Sequence, residues 1–121
     1  MRLNLMSIHV SDFEASLHFY HDILGLPIVQ QFPVGGSKIA FLGQEGQPQL
    51  EIIGFGKPAA SNGPVGLGFS IGMLVEDLDK AMAELADKVP PFKGPAQPNP
   101  HTRFAFTTDP DGYTVQLLEH C

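Results

Sequence analysis

The chain repeats itself. The stretch Leu5-Met6-Ser7-Ile8-His9-Val10, running into Ser11-Asp12, returns sixty-five positions later as Ser70-Ile71-Gly72-Met73-Leu74-Val75, running into Glu76-Asp77. The same offset pairs Lys38-Ile39-Ala40-Phe41 with Arg103-Phe104-Ala105-Phe106, Leu17 with Met82, and Glu51 with Gln116. One spacing that holds across strands, a helix start and a closing strand marks two copies of one supersecondary unit, neither able to cover its apolar face alone. A chain of 121 residues has room for one compact domain made of two such halves, and not for two ordinary domains.

Each half reads in the same order. In the first, Met6, Ile8 and Val10 form one apolar row while Leu5, Ser7 and His9 point the other way, the period of a strand with one packed face. Ser11-Asp12 supplies an N-cap, Phe13, Leu17, Phe19, Tyr20 and Leu24 recur at helical spacing, and Gly25 closes a helix over 12–25. Strand-like patterns follow to residue 55: Pro33-Val34-Gly35-Gly36 reads as a turn, Lys38 to Leu42 as a short buried strand, and Gln49 to Ile53 as the next. On that last strand Leu50 and Ile52 share one face, and Gln49, Glu51 and Ile53 the other. Residues 56–68, rich in Gly, Pro, Ala and Ser, read as a linker. The second half, 69–121, repeats a strand over 70–75 and a helix capped by Asp77 with Leu78, Met82 and Leu85 buried. A stiff proline-rich loop follows over 93–100, then a strand from Arg103 to Thr107, the turn Asp109-Pro110-Asp111-Gly112 and a closing strand from Tyr113 to Leu118. Phe32, Phe55, Phe92, Phe104 and Phe106 are expected mostly in the core, with Phe55 and Phe92 also placed to stack on a planar ligand. The fold class is α+β: two paired βαβββ modules, 1–55 and 69–121, whose curved mixed sheets surround a central cleft.

Composition excludes several classes of function. An apolar fraction of 43% with 17% charged residues belongs to a globular chain rather than a disordered one. A formal charge of −6 opposes binding to a phosphate backbone and tilts toward neutral or cationic ligands, and no basic patch interleaves with aromatics, so no nucleic-acid partner is expected. Gly66-Leu67-Gly68 precedes a strand rather than a helix and makes no phosphate loop. The one cysteine, Cys121, permits no internal disulfide, which fits a reducing compartment. With no leader-like or membrane-length apolar run, the expected address is the cytoplasm and no membrane partner is expected.

Val10-Ser11-Asp12-Phe13-Glu14-Ala15-Ser16-Leu17, followed by Phe19-Tyr20 and Leu24-Gly25-Leu26, resembles the first module of the vicinal oxygen chelate superfamily. That superfamily holds glyoxalase I, the bleomycin- and fosfomycin-resistance proteins and the extradiol dioxygenases. Asp109-Pro110-Asp111-Gly112-Tyr113 is similar to the same family's second signature. The resemblance spans nearly the whole chain and implies paired βαβββ modules, a cleft between them and a homodimer. In metal-dependent members it also implies one metal ligand from the first strand and one from the fourth strand of each module. Carried over by register, those positions are Leu5, Glu51, Ser70 and Gln116.

Only Glu51 among them is a strong ligand. Leu5 coordinates nothing, Ser70 is weak unless deprotonated, and Gln116 offers one neutral carbonyl oxygen, so the set should not hold a divalent transition metal at useful affinity. No cofactor is expected. His9 shares the cleft-facing parity of Leu5, but four residues of strand span about 13 Å. A relocated site built from His9, His101 and His120 is conceivable without being demanded by spacing. His18 and His21 belong to the helix and solvent. Glu51 is either a carboxylate that meets a ligand, as a general base or a cation partner, or a hydrated group at the cleft mouth. His9 stands between a cleft-lining polar group and a structural histidine, and Arg103 and Lys38 read as rim charges.

The expected function is metal-independent binding of a small organic ligand, cationic or aromatic, in the cleft. Glu51 and His9 are the candidate reactive residues, and Leu5, Ser7, Ser70, Arg103 and Gln116 the candidate ligand contacts. The alternative is a glyoxalase-like lyase or isomerase, or a dioxygenase-like enzyme, in which Glu51 acts as base or metal ligand and His9 or Arg103 steadies an enolate.

Overall fold

The computed structural model describes residues 1–54 and 70–121. The linker expected at 56–68, with Phe55 and the Gly66-Leu67-Gly68 run, lies outside them. The chain divides into two compact units, Met1–Asn62 and Gly63–Cys121.

In the first unit, β1 (Leu5–Val10) leads into α1 (Phe13–Leu17), and β2 (Ile28–Val34), β3 (Ser37–Leu42) and β4 (Gln49–Gly54) follow. The sheet order is β1-β4-β3-β2, with β1 parallel to β4 and the other pairs antiparallel. The second unit repeats this with β5 (Ile71–Leu74), α2 (Leu78–Leu85), β6 (Lys93–Asn99), β7 (Thr102–Thr108) and β8 (Thr114–His120), in the order β5-β8-β7-β6. Both units are therefore βαβββ modules, as the sixty-five-residue offset requires.

The offset also governs local chemistry. Asp12 caps α1 by accepting a hydrogen bond from Ala15 N at 3.1 Å, and Asp77 caps α2 by accepting from Lys80 N at 3.0 Å. Each helix packs on one face of its own sheet. In the first unit Ile8, Val10, Ala40, Leu42 and Ile52 of the sheet are buried, as are Phe13, Phe19 and Tyr20 of the helical stretch. In the second, Ala105 and Leu117 meet Leu78, with Met73, Met82 and Phe92 packed around them. At Gly54 helix and sheet approach too closely for a side chain, because a Cβ there would stand 2.6 Å from Phe13 Cβ.

Three expectations need correction. The helix expected over 12–25 is α-helical only to Leu17; His18–Ile23 continues it as a π-helical stretch. The wider turn admits the neighbours Phe19 and Tyr20 together into the core, their rings edge-to-face at 5.0 Å. Gly25, at φ +82°, then ends the helix. Residues 93–99 form a strand rather than a free loop, although every one of them is exposed. Its pairing to β7 shifts register twice, and as an edge strand it tolerates Pro95 and Pro98, which a central strand would not. Finally, Phe32, Phe104 and Phe106 are not core residues but stand half-buried on the sheet faces turned away from the helices. Parity decides this. Ala105 carries the core between Phe104 and Phe106, so the two rings emerge on the other side.

Candidate functional site

The open face of the first sheet gathers most of the polar candidates. The parallel pairing of β1 and β4 sets Leu5 opposite Gln49, Ser7 opposite Glu51, and His9 opposite Ile53. Ser7 Oγ donates a hydrogen bond to Glu51 Oε1. Leu5 and His9 flank Ser7 on the same face, each one pleat repeat (about 7 Å) along the strand. His9 thus lies nearer the carboxylate's row than a count from Leu5 suggests. On the other side of Glu51 stands Phe41, its partner in the antiparallel pairing with β3. The Phe41 ring stacks on Phe32, centroids 6.2 Å apart and planes inclined by 26°. A carboxylate held by a serine and bordered by a ring that itself stacks on a second ring can attract a cation and seat a flat apolar group beside it.

The second unit has a neutral version. Gln116 stands opposite Gly72 on β5 and opposite Phe106 on β7. Ser70 reaches it from one pleat away, its Oγ donating to Gln116 Oε1 at 3.4 Å. Phe104 and Phe106 meet edge-to-face at 5.3 Å. Beside Phe106 opens a pocket of about 360 Å³ lined by Pro91, Lys93, Phe106, Thr107, Thr108 and Thr114, a size suited to a small organic molecule.

Arg103 is not brought together with Gln116. It has the parity of Ala105 and lies on the helix side of β7, where its guanidinium forks onto Asp79 of α2 at 3.0 and 3.2 Å and reaches Glu119 at 3.6 Å. The hydrogen bond and charge of Arg103 hold the Asp79 carboxyl below its ordinary range, and donating that hydrogen bond to Asp79 raises the guanidinium above its own. Lys38, sixty-five positions earlier, pairs with Glu14 of α1 at 3.2 Å, and Glu14 is the repeat partner of Asp79. The two units thus keep one strand-to-helix ion pair in the same place, a structural role for both cations.

The remaining histidines serve the backbone or the surface. His21 Nδ1 bonds Leu26 O at 2.7 Å, His18 Nδ1 meets Asp22 at 2.8 Å, and the His101 carbonyl accepts from Cys121 N at 2.8 Å. His120, opposite Thr102, is exposed. Among the described residues no three of His, Cys, Asp and Glu gather closely enough to hold a metal ion. The four positions that the family resemblance offers as metal ligands hold a hydrocarbon (Leu5), a carboxylate bonded to Ser7 (Glu51), a hydroxyl (Ser70) and an amide (Gln116). That donor chemistry does not fit a divalent transition metal.

Sequence reasoning alone did not single out Phe41, the Phe41–Phe32 stack, Lys93, or the pair Thr108 and Thr114. Phe41 and Phe106 occupy equivalent repeat positions, ten residues before Glu51 and Gln116. That register was the available signal.

Two four-stranded βαβββ modules, each with one helix-packed face and one open face bearing a polar acceptor beside phenylalanines, define a scaffold for small-molecule sites. Residues 2–117 match the model of the Glyoxalase/Bleomycin resistance protein/Dioxygenase superfamily, and the chain belongs to that family. A probable lactoylglutathione lyase of Synechocystis sp. is 31% identical over 118 residues, covering 93% of this chain and 90% of the relative. Among solved structures, Leishmania major glyoxalase I superposes with a TM-score of 0.80 at 25% identity, covering 98% of this chain and 86% of that one. TnmS3, an antibiotic binding protein from Streptomyces sp. CB03234, shares the fold with a TM-score of 0.76 at 23% identity, covering 100% and 97% of the two chains. No helix among the described residues is long and apolar enough to cross a membrane.

Proposed function

We propose that this protein binds a small organic ligand carrying an aromatic group and a positive charge, and does so without a metal ion. The observation that carries this reading is Glu51 on the open sheet face, bonded to Ser7 and bordered by the Phe41–Phe32 stack. An acidic chain of net charge −6 favours the approach of such a ligand. The aromatic faces supply apolar area, and the carboxylate supplies orientation and selectivity. His9 and Leu5 border the same row and contribute contacts. A homodimer in solution belongs to this reading and is checked by light scattering.

Titration of the ¹⁵N-labelled protein with benzylammonium and with its neutral isostere, benzyl alcohol, tests it. Benzylammonium is expected to bind the more tightly and to shift the amides of β1, β3 and β4. Glu51→Gln should weaken it by about tenfold, the scale of a hydrogen bond to a charged group, and leave benzyl alcohol unchanged. Equal affinity for both compounds, or indifference to Glu51→Gln, would overturn the reading.

A second reading is a glyoxalase-like lyase, favoured by the relative named a probable lactoylglutathione lyase. In it Glu51 moves a proton as general base and His9 or another nearby group steadies the resulting charge. Turnover of lactoylglutathione that Glu51→Gln abolishes would establish it over simple binding.

A further inference from the structure

The two carboxylate oxygens of Glu51 stand in different surroundings. Ser7 faces it directly across the β1–β4 pairing and donates its hydroxyl proton to Oε1. Among the described residues Oε2 takes no such bond. On the opposite side Phe41 stands in register with the carboxylate and carries Phe32 stacked against it. The equivalent place in the second unit lacks this arrangement. There Gly72, without a side chain, faces Gln116, and the donor Ser70 approaches from one pleat away at 3.4 Å. The in-register hydroxyl on a charged acceptor is therefore a feature of one half only, and the βαβββ fold does not impose it.

We propose that Ser7 is a positioning residue that makes the two oxygens of Glu51 unequal acceptors, so that the charged group the site prefers is an aryl-substituted ammonium rather than an amidinium or guanidinium. This rests on the Glu51 face being the ligand site. A planar amidinium or guanidinium binds a carboxylate through two parallel N–H···O bonds, one to each oxygen. The Ser7 hydroxyl takes one of the two lone pairs of Oε1 and draws off part of its charge, so the second arm of that fork meets a weaker and more crowded acceptor than the first. An ammonium is a compact charge with three rotatable donors and is satisfied at Oε2 alone. Its aryl group then lies toward Phe41 and Phe32, where ring faces favour a neighbouring cation. Ser7 touches the carboxylate and acts on the ligand through it.

The test compares benzylammonium with benzamidinium on the intact protein by calorimetry or NMR titration, in wild type, Ser7→Ala and Ser7→Thr. Wild type should prefer benzylammonium. Ser7→Ala frees both carboxylate oxygens and should move the ratio of the two dissociation constants toward benzamidinium by about fivefold, the scale of one such hydrogen bond. Ser7→Thr keeps a hydroxyl on a residue that strands accept readily and should restore the wild-type ratio. A merely structural serine would change both affinities in parallel and leave the ratio fixed. That result, or a wild type that prefers benzamidinium, overturns the proposal while leaving the Glu51 reading standing. A wild type that binds benzylammonium no better than benzyl alcohol overturns both.

Discussion

Residue by residue, the open and packed faces of each sheet assign chemistry that residue type alone leaves ambiguous. Arg103 and Glu51 are both charged groups on strands, yet one is occupied by helix α2 and the other faces away from helix α1. The Arg103–Asp79 pair has a definite pH signature. Because Arg103 lowers the folded-state pKa of Asp79, the pair contributes stability above the ordinary carboxylate range and loses it as the pH falls through the lowered value. Arg103→Met, which keeps an apolar stem, should reduce the unfolding midpoint modestly at neutral pH. The gap from wild type should close in acid, as urea titrations at several pH values would show. A gap that persists when the carboxylates are protonated would mean that packing, not charge, carries the effect.

At the level of elements, the repeat was legible because strands and helices write different periods into the sequence. Met6, Ile8 and Val10 announce β1, and Asp12 and Asp77 announce the starts of both helices. The π-helical stretch His18–Ile23 was not legible, since Phe13, Leu17, Tyr20 and Leu24 satisfy an α-helical period well enough; the extra width appears only when Phe19 must also find core space. β6 was hidden for a different reason. Prolines argue against a strand in general, and only the knowledge that this strand is an edge removes the objection. The contact of α1 with β4 yields a sharp expectation. Gly54→Ala places a methyl group against Phe13 Cβ and should cost about 2 kcal/mol of stability through overpacking, measurable as a lowered denaturation midpoint. An unchanged midpoint would show that α1 can shift outward at no cost.

For the whole molecule, two copies of one module differ at Glu51 and Gln116 and at Ser7 and Gly72 while keeping their caps, ion pairs and core. The reading without a metal predicts that dialysis against EDTA leaves both the melting temperature and benzylammonium affinity unchanged. Stoichiometric Ni, Zn, Fe or Mn in the purified protein, lost on Glu51→Ala, would contradict it. Similarity to a lyase in one relative and to an antibiotic binding protein in one solved structure shows how far function ranges on this scaffold, so the residues of the open faces must decide.

The sequence by itself determined the module and its duplication, because hydrophobic period and an offset of sixty-five need no three-dimensional information. It also placed Glu51 on the side of its strand away from the helix. Only the tertiary structure decided who stands beside it. Strand register joins residues forty-four positions apart, Ser7 and Glu51, and sets Phe41 on the other flank. Pairing across a sheet depends on which strands become neighbours, and no local period records that choice.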